Sequence, residues 1–273
     1  MLTLDLTNSP FAGEKPSHFR TLTILAMVLS GLALSWGVVD TRMVDGSPVW
    51  MKPLKFSISF VIMFGTIELV RNRISEPIRN GWTFTAIAFV MTAAFLAEMA
   101  YMFFQAAQGE ASHFNNATPF HAFMYVAVMG SGAVALVACV GIVGWLVKSD
   151  REARFSPALR EAIWLGFLLS FVLTMIVAGY MSAGAESRHV GVHPEGAPEL
   201  FLLGWSGVTG DLRPAHFLSL HAMQALPLLA LWMERKTIPA SVTTIRLFAA
   251  GYAAITLGVF WVALAGLPLI PLS

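Results

Sequence analysis

Cysteine is almost missing from this sequence: Cys139 is the only one in 273 residues. That excludes an intrachain disulfide, a CxxC metal knuckle and a CxxCH haem attachment. Charge is scarce too, at 12% of residues, where a soluble domain carries about 25%. The net charge of +1 and the lack of a basic patch with interleaved aromatics argue against a nucleic-acid partner. No low-complexity tail or separate polar domain breaks the chain, which reads as one domain over 1–273.

What is abundant is apolar sequence in long blocks, with 56% of residues hydrophobic. A transmembrane helix needs about 20 mostly apolar residues to cross a hydrocarbon core of roughly 30 Å. Seven stretches qualify, over 21–39, 53–70, 83–105, 119–147, 162–182, 214–233 and 247–267. They must be helical, because backbone in lipid has to satisfy its own hydrogen bonds, and they lack the short alternation of barrel strands. The expected fold is therefore all-α, a polytopic bundle of seven spans in a lipid bilayer. Ala33-Leu34-Ser35 offers small residues at which a signal peptidase cuts, but the apolar run is long for a signal peptide and is counted as a span.

Positive charge sets the orientation, because Lys and Arg near span ends stay on the cytoplasmic side. One set of loops holds Lys15, Arg20, Arg71, Arg73, Arg79, Lys148, Arg151, Arg154, Arg160, Arg235, Lys236 and Arg246. The other holds only Arg42, Lys52, Lys55, Arg188 and Arg213. The N-terminus is expected inside and the C-terminus outside. The outer connections are also longer, and about 30 residues separate the fifth and sixth spans; loops of that length usually carry function.

Every histidine except His18 falls in the outer loops or the helical turns beneath them. Three spans descending from that face begin near a proline: Pro53, Pro119 and Pro214. Thr118 and Asp211 are candidate caps. The helix N-termini, with Lys52, Lys55 and Arg213 at the same level, favour an anion such as a carboxylate, a phosphate or a lipid headgroup. The plainer reading is that prolines start helices and basic residues snorkel to the interface.

Glu98 lies about eight residues from the outer end of its span, roughly 12 Å deep at 1.5 Å per residue. A charge at that depth usually faces a partner or a water-filled cavity. His221 sits at a matching depth on the sixth span, with Gln224 one turn below and Pro227 expected to kink the helix beside them. Glu98 and His221 are thus the candidate catalytic or relay pair. Lys52, Lys55, Gln105, Asn115, Asp211, Arg213 and Gln224 are candidate ligand-binding residues. A transition metal or a b-type haem would draw on His113, His121, His216 and His221, with His121 and His216 as facing axial ligands. His216 and His221 alone diverge by about 140° on a helix and would not chelate one ion. His189 and His193 have helical chelate spacing, but Gly191 and Pro194 place them in a loop.

The strings Trp50-Met51-Lys52-Pro53-Leu54-Lys55-Phe56, Ser112-His113-Phe114-Asn115 and Gly210-Asp211-Leu212-Arg213-Pro214-Ala215-His216-Phe217, with His221 and Gln224 beyond, resemble a group of bacterial seven-span membrane proteins. The resemblance runs from about residue 45 to 230. No activity is established for that group, so it implies bacterial inner-membrane placement and nothing about chemistry. Microbial rhodopsins are excluded because the last span lacks a lysine for a retinal Schiff base, and the hydrolase pattern of membrane ceramidases is absent.

Three functions compete on this sequence. The first is a membrane-embedded metal- or haem-dependent redox protein or enzyme, with its pocket under the outer face and a basic rim for an anionic or amphipathic small molecule. The second is a proton-coupled transporter or channel using Glu98 and His221 as a relay. The third is a non-catalytic sensor or assembly subunit.

Overall fold

The computed structural model describes residues 17–44, 46–183 and 188–272. Lys15, counted above toward orientation, lies outside them. Among the described residues there are seven helices long and apolar enough to cross a membrane, in the positions expected from hydropathy. The chain is a multi-pass membrane protein.

The spans are α1 (His18–Trp36), α2 (Met51–Arg71), α4 (Trp82–Gln108), a composite span over Pro119–Ser149, α7 (Pro157–Ala183), α8 (Arg213–Arg235) and α9 (Val242–Leu264). A four-residue helix, α3 (Glu76–Arg79), joins α2 to α4. Local chemistry sets the ends. Ser17 and Ser241 accept N-cap bonds from Arg20 and Thr244, so α1 and α9 begin three and five residues earlier than the apolar runs. Gly109, at φ +74°, ends α4 in the left-handed conformation.

The composite span is not one regular helix. Thr118 caps α5 (Pro119–Phe123), as its sequence position predicts, and Pro119 fills the first turn. Met124–Gly130 then runs as a π-helical segment before α6 (Ser131–Ser149). Such wide turns in a helix cluster at functional sites.

The core runs through all seven spans, and its aromatic cluster lies between α1, α2 and α4. Phe60 and Phe95 have ring centroids 4.8 Å apart, Phe64 and Phe95 5.2 Å, and Phe19 stacks edge-on to Phe84 at 5.7 Å. Small residues let the other spans approach, the usual device where hydrophobic burial cannot drive helix association in lipid. Gly144 lies against Phe167, and Gly166 lies where a β-carbon would come within 2.7 Å of the Ala222 carbonyl oxygen. Ser170 donates to the Leu220 carbonyl at 2.9 Å and Thr174 to Ser219 at 3.0 Å, tying α7 to α8 just above Pro227. Outward-facing Val28, Leu32 and Trp261 are more than half exposed, as lipid-facing side chains should be.

The two ends differ. At the end where α2 gives way to α3, Glu161 is held by Lys148 at 2.6 Å and Arg246 at 2.7 Å, and Asp150 accepts the Ser75 amide at 2.7 Å. At the other end the loops fold on one another. There β1 (Met43–Val44) pairs with β2 (Ser47–Pro48), and β3 (His189–Val190) pairs with β4 (Gly210–Asp211). That second pairing sets His189 opposite Asp211.

Candidate functional site

Asp211 organises the loop between α7 and α8. Its side chain is 1% exposed, and it accepts the Ser206 amide at 2.9 Å and both the amide and the guanidinium of Arg213. It thereby satisfies one open N–H at the start of α8, although Leu212 occupies the cap position itself. Burial raises the Asp211 carboxyl, but the hydrogen bonds and charge of Arg213 outweigh it and hold the group below the usual carboxylate range. Arg213 reaches on to the Gly204 carbonyl and lies 3.9 Å from Glu199.

Glu199 stands on a small hairpin closed by Leu200 donating to Trp205 and Gly207 donating to Pro198. Leu202 and Gly204 turn its tip with φ of 65° and 67°. His193 faces Glu199, with Nε2 to Oε1 at 3.6 Å, and its Nδ1 lies 3.1 Å from Ser206 Oγ. His189 stacks on His193 with ring centroids 4.2 Å apart, its Nε2 3.8 Å from Asp211. One ligand atom each from His189, His193 and Glu199 lies within 4.8 Å of the others, close enough to hold a metal ion. Burial first, partly offset by Asp211, lowers the His189 imidazole to about 4. Lys55 reaches the same hairpin, donating to the Leu203 carbonyl at 3.2 Å.

Beside this loop lies a buried polar compartment at the C-terminal end of α4. Gln105 is fully buried and donates to the Ala111 carbonyl at 3.1 Å and to Glu110 at 3.3 Å. Glu110 also meets His121 Nε2 at 3.4 Å. His113 packs its ring on Phe56 of α2 at 5.4 Å, with Nδ1 near Ser112 Oγ at 3.1 Å. Burial, then the charges of Lys52 and His216, push the His113 imidazole well below its ordinary value. Asn115 serves the loop itself, donating to the Ala111 carbonyl and accepting the Ala117 amide.

In this half of the molecule, five shielded polar atoms find no hydrogen-bond partner among the described residues: Glu98 Oε1, Tyr101 Oη, Gln105 Oε1, His121 Nδ1 and His216 Nδ1. Each such atom costs about 1–3 kcal/mol unless a ligand or water meets it. Glu98, Tyr101 and Gln105 recur along one face of α4, as spacings of three and four require. The Glu98 carboxyl lies against Gly132, where a β-carbon would come within 2.7 Å of Oε1, directly after the π-helical segment.

The sequence pairing of Glu98 with His221 takes a different form here. No hydrogen bond or ion pair joins them among the described residues; equal depth does not fix the direction a side chain takes around its helix. His221 Nδ1 meets Gln224 Oε1 at 3.3 Å, and Gln224 donates to Thr66 of α2 at 3.2 Å, so this pair links α8 to α2. Nor are His113, His121, His216 and His221 the residues whose ligand atoms converge. The converging group is His189, His193 and Glu199. The His-x₃-His spacing was the visible signal for it, and Glu199, brought back by the hairpin, had none.

No family model, curated protein or solved structure matches this chain.

Proposed function

We propose that this is a metal-dependent membrane protein that binds an anionic or amphipathic small molecule at its non-cytoplasmic face. The convergence of His189, His193 and Glu199 carries the reading. Two imidazoles and one carboxylate form the donor set of catalytic zinc sites, which leave a fourth position for water or substrate. Imidazole also suits copper, iron and nickel. Ser206 would orient His193, as outer-shell partners do for metal-bound histidines. Arg213 and Lys55, whose guanidinium and ammonium groups border the Gly204 turn beside Glu199, would hold the negative end of the ligand. The unpartnered groups along α4 would receive its uncharged part.

The orientation follows the positive-inside bias, N-terminus in and C-terminus out, with placement in a bacterial inner membrane by resemblance. A proton-coupled transporter is the weaker reading. Beneath Glu98 stand Phe95, Met91, Phe64 and Phe60, all buried, and a relay would have to pass through that hydrocarbon.

Elemental analysis with an absorption spectrum of protein purified without chelator tests this. A stoichiometric transition-metal ion is expected, lost in His193→Ala and in Glu199→Gln while circular dichroism stays helical. Protein that is metal-free as isolated and takes up neither Zn²⁺, Cu²⁺ nor Ni²⁺ after chelator treatment would sink it.

A further inference from the structure

At the opposite end, independent of the metal site, a cavity of ≈ 470 Å³ opens between α1, α3 and α4. Arg71 and Arg79 line it, with Asn80 beside them and Phe84 and Phe89 as walls. Neither guanidinium group has a hydrogen bond or ion pair to any described residue. The nearby carboxylates are engaged elsewhere: Glu68 receives Ser17 and Asn72, and Glu76 receives Asn80. Among the described residues, no acidic side chain lines the cavity. Phe89 is 73% exposed and continues the wall onto the lipid-facing surface of α4.

We infer that this cavity binds a phosphate-bearing anion, supplied by the headgroup of an anionic phospholipid. Two guanidinium groups match phosphate oxygens with paired N–H donors, and Arg is the residue suited to that geometry. The site lies where a span ends, at headgroup level, and basic pockets between helices there bind anionic lipid. Phe84 and Phe89 offer an acyl chain a path that free phosphate would not use. Other cations at this end serve the fold: Lys148 and Arg246 clamp Glu161, and Arg154 donates to the Asn72 carbonyl. Arg71 and Arg79 instead line the cavity wall together.

Native mass spectrometry of the full chain in detergent, titrated with phosphatidylglycerol, phosphatidylcholine or inorganic phosphate, tests the inference. Phosphatidylglycerol should be retained in preference to phosphatidylcholine, and Arg71→Gln with Arg79→Gln should weaken it roughly a hundredfold, about tenfold for each lost charge-assisted contact. Arg235→Gln with Lys236→Gln, at the same end but outside the cavity, should leave it unchanged. Inorganic phosphate competing as well as the lipid would support the anion site and make the free ion its source. Equal retention of both lipids, or equal loss in both double variants, would overturn it. Should the first double variant fail to fold, Arg79→Gln alone, on the short α3, gives the same reading.

Discussion

The two ends of this membrane protein use polar residues in opposite ways. At the end that holds Glu161, Lys148 and Arg246, nearly every buried polar group closes on a protein partner, so its chemistry is spent on holding helices together. At the loop-rich end, five shielded polar atoms find no partner among the described residues, beside three convergent groups that could hold a metal ion. Buried polar groups that satisfy each other build a structure; those left open wait for something else. This contrast is a second reason why we propose the metal site at the loop-rich end.

The largest expected effect tests whether the loop-rich end is a built site or a loose loop. Asp211→Ala would strip the Ser206 amide and the Arg213 amide of their acceptor and leave Arg213 with only Glu199, 3.9 Å away, to balance its charge. Breaking a buried charge pair of this kind costs about 3–5 kcal/mol. Thermal melts in detergent should show that loss, and metal uptake should fall with it. A melt unchanged from wild type would mean that the loop is not held by this carboxylate. The same measurement on Glu161→Ala probes the other end. Because Lys148 and Arg246 can turn to water, the cost there should be only about 1–3 kcal/mol, and metal uptake should persist.

A pH titration sharpens the comparison further. His113 is held neutral by burial, so its folded value lies well below the ordinary 6.5. The unfolded chain then binds a proton that the fold refuses, and stability falls as pH drops below about 6.5. The melting midpoint should decline from pH 7.5 to 5, and His113→Gln should flatten that decline. An identical slope in the variant would place the acid sensitivity elsewhere.

The seven spans were legible in the sequence because length and hydropathy alone force a helix in lipid. The Thr118 cap was legible because its bond is local. The candidate site was only half so. Gln105, Asp211 and Arg213 stand at the same end as the candidate metal ligands, but those ligands come together through the pairing of β3 with β4 and the hairpin around Leu202, both set by distant contacts. Depth arithmetic placed Glu98 and His221 level, yet Glu98 turned to Gly132 and His221 to Gln224. The π-helical segment at Met124–Gly130 has no apolar periodicity or proline to announce it.

The smallest expected effect is the most discriminating. Thr174 and Ser219 form a satisfied buried pair, and Thr174→Val should cost about 1 kcal/mol by removing the bond between them, although Ser219 keeps its own donation to the His216 carbonyl. Tyr101→Phe removes a buried hydroxyl that has no hydrogen-bond partner among the described residues. In ligand-free protein it should therefore leave the melting midpoint unchanged, or raise it by the equivalent of up to about 1 kcal/mol, because a desolvated donor has been deleted. If the hydroxyl is there for a ligand, the variant should lose ligand-induced stabilisation while its ligand-free stability holds. A destabilised ligand-free Tyr101→Phe would mean that ordered water already satisfies the group, and the contrast between the two ends would narrow by one of its five atoms.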